Sequence, residues 1–353
     1  MKQEVFHPKK SDFEGQIPNH KTTLITLKNN QNSTLHLTNY GARIVGFITL
    51  DQAHQEKDVV LGFKTLNNYL NADEQYHGAT IGRYANRIAD GKFCINNIEY
   101  SLDQNNPPNS LHGGINGFHK QVWNMEYLSE NKVIFSYYSK NGEEGFPGNL
   151  KVLAIYQLSD NNEIIIEYKA VTDQETVINI TNHAFFNLHG EGNGTTLNHF
   201  LKIPTQEFFP CNNFQIPNHK TLVENTIFDF QNWTKIEDII DFNDPQLKIT
   251  KGYDHTFINN KPIDEIAAAA YSEETGILLE VFTTEPSVHL YTGNWLNGND
   301  IGKNDNPYTE FSAICLETQH YPDSPNRLDF PSVFLKPEEE YYTKTIFKFS
   351  IKK

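Results

Sequence analysis

The stretch "LKVLAIYQLSDNNEIIIEYKAV", residues 150–171, sets two apolar runs on either side of a polar break. Both runs are rich in β-branched and aromatic residues. The break at 159–163, "SDNNE", carries asparagines that tolerate left-handed backbone angles, so the whole reads as a β-hairpin. The same texture recurs in both directions: "TTLITL" (22–27), "STLHLTNYGARIVGFITL" (33–50), "KVIFSYYS" (132–139), "TVINITNHAFF" (176–186), "GILLEVFTT" (276–284), "SVHLYTG" (287–293), "FSAICLET" (311–318) and "EYYTKTIFKFSI" (340–351). "KNNQN" (28–32) marks a second hairpin. Turn clusters between short strands, rather than strands alternating with helices, predict an all-β sandwich or barrel. Short helices are expected only at 64–73, "KTLNNYLNAD", and 236–242, "IEDIIDF". The stretch 264–276, "DEIAAAAYSEETG", admits a helix or a strand pair turning at Glu273–Gly276. No repeat or linker composition divides the chain, so one large antiparallel β domain over residues 1–353 is expected.

At 353 residues and 38% hydrophobic, the chain can bury a sizeable core. Its net charge of −15 excludes nucleic acid and anionic membrane surfaces as expected partners. Only Arg43, Arg83, Arg87 and Arg327 offer guanidinium forks, which weighs against a phosphate-binding specialist. Cys94, Cys211 and Cys315 form no paired motif and read as buried, reduced thiols. The start, "MKQEVFHPKKSDFEG", lacks an apolar run fit for a signal peptide, so a cytoplasmic location is expected. No metal or cofactor signature is present: no HExxH, no EF-hand loop, no phosphate-cradling or dinucleotide glycine motif.

Strand alternation supplies the candidate chemistry. In 176–190, Asn179, Thr181, His183 and Phe185 share one face and Ile178 and Ile180 the other, so His183 points to solvent or a ligand. Phe311, Ala313, Cys315 and Glu317 share a face of small or apolar residues. A carboxylate at its end is partly desolvated, which raises its pKa and makes it a better base. Alone, His183 is more readily a surface histidine bonded to a neighbouring hydroxyl, and Glu317 is as readily a strand-end glutamate paired with lysine. "GRYANRIADGKF" (82–93) groups Arg83, Asn86 and Arg87; "NPPNSLHGG" (106–114) holds His112; "KGYDHTF" (251–257) holds Asp254 and His255. With Phe185, Phe186, Tyr291 and Trp295 nearby in the sequence, these amides, carboxylates, histidines and rings suit a neutral polyol, although core packing is the commoner fate of such rings.

Taken in order, "GRYANRI", "LHGG", "GFPGNL", "TNHAFFNL", "GYDHTF", "EPSVHLYTGN" and "CLETQHYPDSPN" resemble the aldose 1-epimerase (galactose mutarotase) family over roughly residues 20 to 350. The resemblance implies a large antiparallel β-sandwich with few short helices, the galactose mutarotase-like supersandwich. It implies a mutarotase interconverting α and β anomers of free aldohexoses, with Glu317 as general base and His183 as general acid. Asn86, Arg87, His112 and Asp254 match residues that hold the sugar's oxygens. Glu285 stands where many relatives carry glutamine, and is expected at the sugar as well; Ser287 stands where many have glycine. The expected partner is a small aldose, with no cofactor or metal, and the oligomeric state stays open between monomer and dimer. The chemistry is self-consistent, because opening and reclosing a hemiacetal ring needs one base and one acid and no redox carrier. Their proximity is expected to favour the charged form of both groups. A hexose-6-phosphate epimerase and a non-catalytic carbohydrate-binding module are the rival readings.

Overall fold

The computed structural model describes residues 5–18 and 20–352. The hairpin at 150–171 forms as expected: Leu150–Leu158 pairs antiparallel with Glu163–Thr172, from Leu150↔Thr172 to Leu158↔Ile164. Asn162 takes the left-handed angle at its turn (φ 62°), and Asn32 does the same in the turn between Leu24–Lys28 and Thr34–Thr38. The hairpin supplies the third and fourth strands of a nine-stranded sheet that begins at the edge strand Asn124–Ser129. Beyond the hairpin the sheet continues through Tyr341–Ile351, Ile277–Thr283 and Ala268–Tyr271. A five-stranded sheet and a four-stranded sheet complete the layers. The class read from the sequence, all-β, holds.

Alternation drives the burial. Ile164, Ile166, Tyr168 and Ala170 of Glu163–Thr172 point inward, while the residues between them are partly or fully exposed. Their buried cluster includes Leu35 and Phe47 of the four-stranded sheet and Val288, Leu290 and Leu316 of the five-stranded one. Phe47 meets Phe349 across the layers at 4.5 Å between ring centroids. Each such buried Leu, Ile or Phe stabilises the fold by about 1.5–3 kcal/mol relative to exposure.

Both expected helices are present, as Leu66–Leu70, capped by Thr65, and Ile236–Ile239. The 264–276 stretch resolves to the strand pair: Ala268↔Val281 through Tyr271↔Leu278. Three expectations need correction. A helix at Pro245–Thr250 was not foreseen, although Asp244 caps it and Pro245 opens it, a standard start signal. Cys94 is exposed, because it sits on the outer face of the hairpin strand Lys92–Ile95. The 176–186 run is not one strand. It pairs in fragments with successive neighbours: Thr181↔Ile81, then Phe186 with Ile314.

The five-stranded sheet positions the site. Its last three strands are Asp254–Ile258, Ser287–Tyr291 and Cys315–Gln319, and their register sets Thr256, His289 and Glu317 in one cross-strand row.

Candidate active site

Glu317 lies in the middle of the buried strand Cys315–Gln319 and is 2% exposed. Its Oε1 is 3.5 Å from His183 Nε2, and its Oε2 has no hydrogen-bond partner among the described residues. Burial pushes the Glu317 carboxyl well above the usual range; the Asp254 charge adds to this and Arg87 opposes it. The raised pKa expected from the sequence is therefore present.

His183 is 4% exposed and sits between rings, stacked on Phe185 (4.8 Å) on one contact and Tyr76 (5.8 Å) on another. The Cys315 sulfur lies 3.6 Å from its Nδ1, so one strand, through Cys315 and Glu317, meets both ring nitrogens. Burial lowers His183 to about 3. This corrects one expectation: the proximity argument called for both groups charged, but desolvation outweighs their attraction and favours each neutral form. Glutamic acid with neutral imidazole, and glutamate with imidazolium, nevertheless hold the same single proton between them.

The other candidates gather around this pair. Asn86 and His112 both adopt left-handed backbone angles (φ 63° and 52°), and the Asn86 Oδ1 accepts the Arg87 N–H at 2.9 Å. The Asn86 N–H donates to His112 Nδ1 (3.1 Å), so in the neutral ring Nε2 carries the hydrogen. Arg87 donates from Nε to Asn106 Oδ1 (3.2 Å) and from its terminal nitrogen to Gln215 Oε1. Gln215 in turn donates to Asp254 Oδ2 (3.3 Å), and Asp254 Oδ1 is 2.7 Å from His289 Nε2. Burial alone would raise Asp254, but the His289 hydrogen bond and the Arg87 charge bring it down to about 2, so it is ionised. These groups enclose a cavity of about 380 Å³, with Tyr291 and Trp295 among its walls.

Arg83, Glu285, His255, Phe185 and Phe186 do not line it. Arg83 is buried among the Pro147 and Gly148 carbonyls and the Ser139 hydroxyl, a structural role. Glu285 lines a different cavity, where its Oε2 is 2.7 Å from His320 Nδ1. Four residues of extended chain, about 13 Å, separate it from His289, the residue of that segment that does reach the pocket. His289, Glu74, Tyr76, Asn106 and Gln215 were missed. His289 had a signal in its parity with Tyr291; Gln215, held at φ 58° in a loop, had none.

His112, His183 and Glu317 bring three donor atoms within 4.8 Å of one another. A cation there would need a lone pair on His112 Nε2, at the expense of the Asn86 hydrogen bond to Nδ1. The donor set fits hydroxyl and ether oxygens better.

A β-sandwich with a polar pocket in which a buried carboxyl faces an imidazole defines a class: a protein whose pocket carries groups able to exchange a proton with a small polar molecule. The chain belongs to the aldose 1-epimerase family, whose sequence model matches residues 23–348. The galactose mutarotase of Bos taurus is 41% identical over 318 residues, 89% of this chain and 90% of that one. The aldose 1-epimerase of Escherichia coli (strain K12) is 35% identical over 332 residues, 92% and 94% of the two chains. Among solved structures, a GalM/aldose epimerase homologue from C. elegans superposes with a TM-score of 0.88 at 29% identity, covering 94% of this chain and 100% of that one. A galactose 1-epimerase from Lactobacillus acidophilus NCFM gives 0.85 at 27%, covering 96% and 97%.

Proposed function

We propose that the chain is a mutarotase that interconverts the α and β anomers of free aldohexoses such as galactose and glucose. The observation that carries this reading is the 3.5 Å separation of Glu317 Oε1 and His183 Nε2 at a buried, polar pocket. The pair holds one proton in total. With that proton on His183, Glu317 takes the hydrogen of the C1 hydroxyl while His183 gives its own to the ring oxygen. The C1–ring-oxygen bond breaks as the C1 oxygen becomes a carbonyl. Rotation about C1–C2 presents the other carbonyl face; reclosure returns a proton to each donor with C1 inverted. Each group contributes roughly 10²–10⁴-fold by this route. Ionised Asp254 accepts sugar hydroxyls, while Arg87 and His112 Nε2–H donate to sugar oxygens.

The pocket's charge supports a free rather than a phosphorylated sugar. Glu74, Asp254 and Glu317 line it, and Arg87, its one arginine, is engaged by Asn106 and Gln215. A phosphate there would meet the ionised Asp254 carboxylate and two further carboxyl groups with a single guanidinium, part of whose N–H set is already committed. The test is polarimetry on freshly dissolved α-D-galactose and α-D-glucose with catalytic amounts of protein. A faster approach to the unchanged final rotation supports the reading; no acceleration with any free aldose overturns it.

A further inference from the structure

Glu74 enters the pocket from the segment after the Leu66–Leu70 helix, and the proton-transfer mechanism makes no use of it. That segment is firmly tied. Asp300 accepts the backbone N–H groups of both Asp73 and Glu74, each at 2.9 Å. Asp73 Oδ2 accepts from the Asn297 and Asn299 amides at 3.0 and 2.7 Å, which fastens the segment to the loop just beyond Trp295. Glu74 Oε1 accepts the Tyr76 N–H at 2.9 Å, and no bond to Oε2 engages it elsewhere among the described residues. The contrast with the opposite groups is direct: Arg87, Gln215, Asp254 and His289 are joined in one hydrogen-bonded chain, whereas this carboxyl oxygen is uncommitted.

We propose that Glu74 is a specificity-determining residue, whose free carboxyl oxygen binds a sugar hydroxyl other than that on C1 and so sets the preference between aldose epimers. This rests on the mutarotase reading. Glu317 and His183 take the C1 hydroxyl and ring oxygen, so the remaining hydroxyls are the ones left for a fixed, separate carboxyl. A carboxylate accepts from a hydroxyl and a carboxylic acid also donates, so its protonation state changes which hydroxyl orientation it suits. Burial pushes Glu74 up to about 7, with Asp300 adding and the Tyr76 N–H and Arg43 opposing. Its other charged or titratable neighbours are Asp73 and Tyr76 in the chain, and Tyr291, Cys315 and Glu317, and Glu74 raises all of these but Asp73 in part.

The test compares kcat/KM for galactose and for glucose in the wild type, Glu74→Ala and the isosteric Glu74→Gln, at about pH 6 and about pH 8. The expected result is a galactose-to-glucose ratio altered about 2- to 12-fold in Glu74→Ala, the worth of one hydrogen bond, and carried by KM rather than kcat. The wild-type ratio drifts between the two pH values and that of Glu74→Gln does not. An active wild type whose ratio is the same in both variants overturns this proposal alone. A wild type inactive on every free aldose removes the mutarotase reading and this proposal with it.

Discussion

Replacing Glu317 with glutamine should separate activity from stability in a direction few substitutions allow. The side chain keeps its shape, but it can no longer take the C1 proton. The loss should be about 10²–10⁴-fold in kcat, or roughly 3–5 kcal/mol of barrier. Stability should move the other way. Burial raises the folded-state pKa of Glu317 above its ordinary value of 4.5, so the folded state binds the proton more tightly than the unfolded chain. Wild-type stability is therefore fully present below the unfolded pKa and declines as pH rises toward the folded one, by about 1.4 kcal/mol for each unit of pH in between. Glutamine removes that decline. Glu317 Oε2 also lacks a partner, so no hydrogen bond is lost at that oxygen. The measurement is thermal unfolding of both proteins at about pH 5 and about pH 8, beside polarimetric rates. The variant should gain in relative Tm at the higher pH while losing activity. A variant that unfolds more readily as pH rises would refute the desolvation argument, and one with full activity would remove Glu317 from the chemistry.

His183→Ala should lose about 10²–10⁴-fold in kcat with the fold intact by circular dichroism; retained activity would show that another group protonates the ring oxygen. Arg87→Ala should raise KM by about tenfold or more, the worth of a charged hydrogen bond, and an unchanged kcat/KM would make Arg87 structural. The pH profile should stay flat on the acid side well below 6.5. His183, lowered to about 3, takes a second proton onto the pair only there, so a limb centred near 6.5 would contradict the burial argument.

What the sequence revealed and what it hid follow one rule. Features set by local chemistry were legible: the Asn162 hairpin, the short helix at Leu66–Leu70, and the parity that buries Glu317 beside Cys315. Misreadings at the site arose where the chain leaves regular pairing. In 176–186 every residue is buried and the backbone pairs with several neighbours in turn, which no local pattern encodes. Glu285 illustrates the limit of resemblance. It shares a segment with His289, and only the three-dimensional register shows which of the two lies across from Glu317. Gln215 is more instructive still, because a loop residue joins Arg87 to Asp254 through contacts 128 and 39 positions away.

The site also explains why distant motifs occur together. Tyr84, within "GRYANRI", donates its hydroxyl hydrogen to the Tyr321 carbonyl and accepts the Ser324 N–H, at 2.9 and 3.0 Å. Asp323 closes the same joint, its N–H on the Arg87 carbonyl (2.7 Å) and its Oδ1 on the Ala89 N–H (2.9 Å). Asn179 accepts the His320 N–H (2.9 Å) and donates to the Ala85 carbonyl (3.1 Å). The stretch leading to His183, the strand carrying Glu317 and the loop carrying Asn86 and Arg87 are thus locked through buried polar contacts rather than through one sheet. An acid and a base that must keep their separation while a ring opens need such a mount, since misplacement by even an ångström is costly in rate. On the proposed mechanism, the "YPDSPN" turn after Glu317 is the clamp that fixes this carboxyl against the loop carrying Asn86 and Arg87.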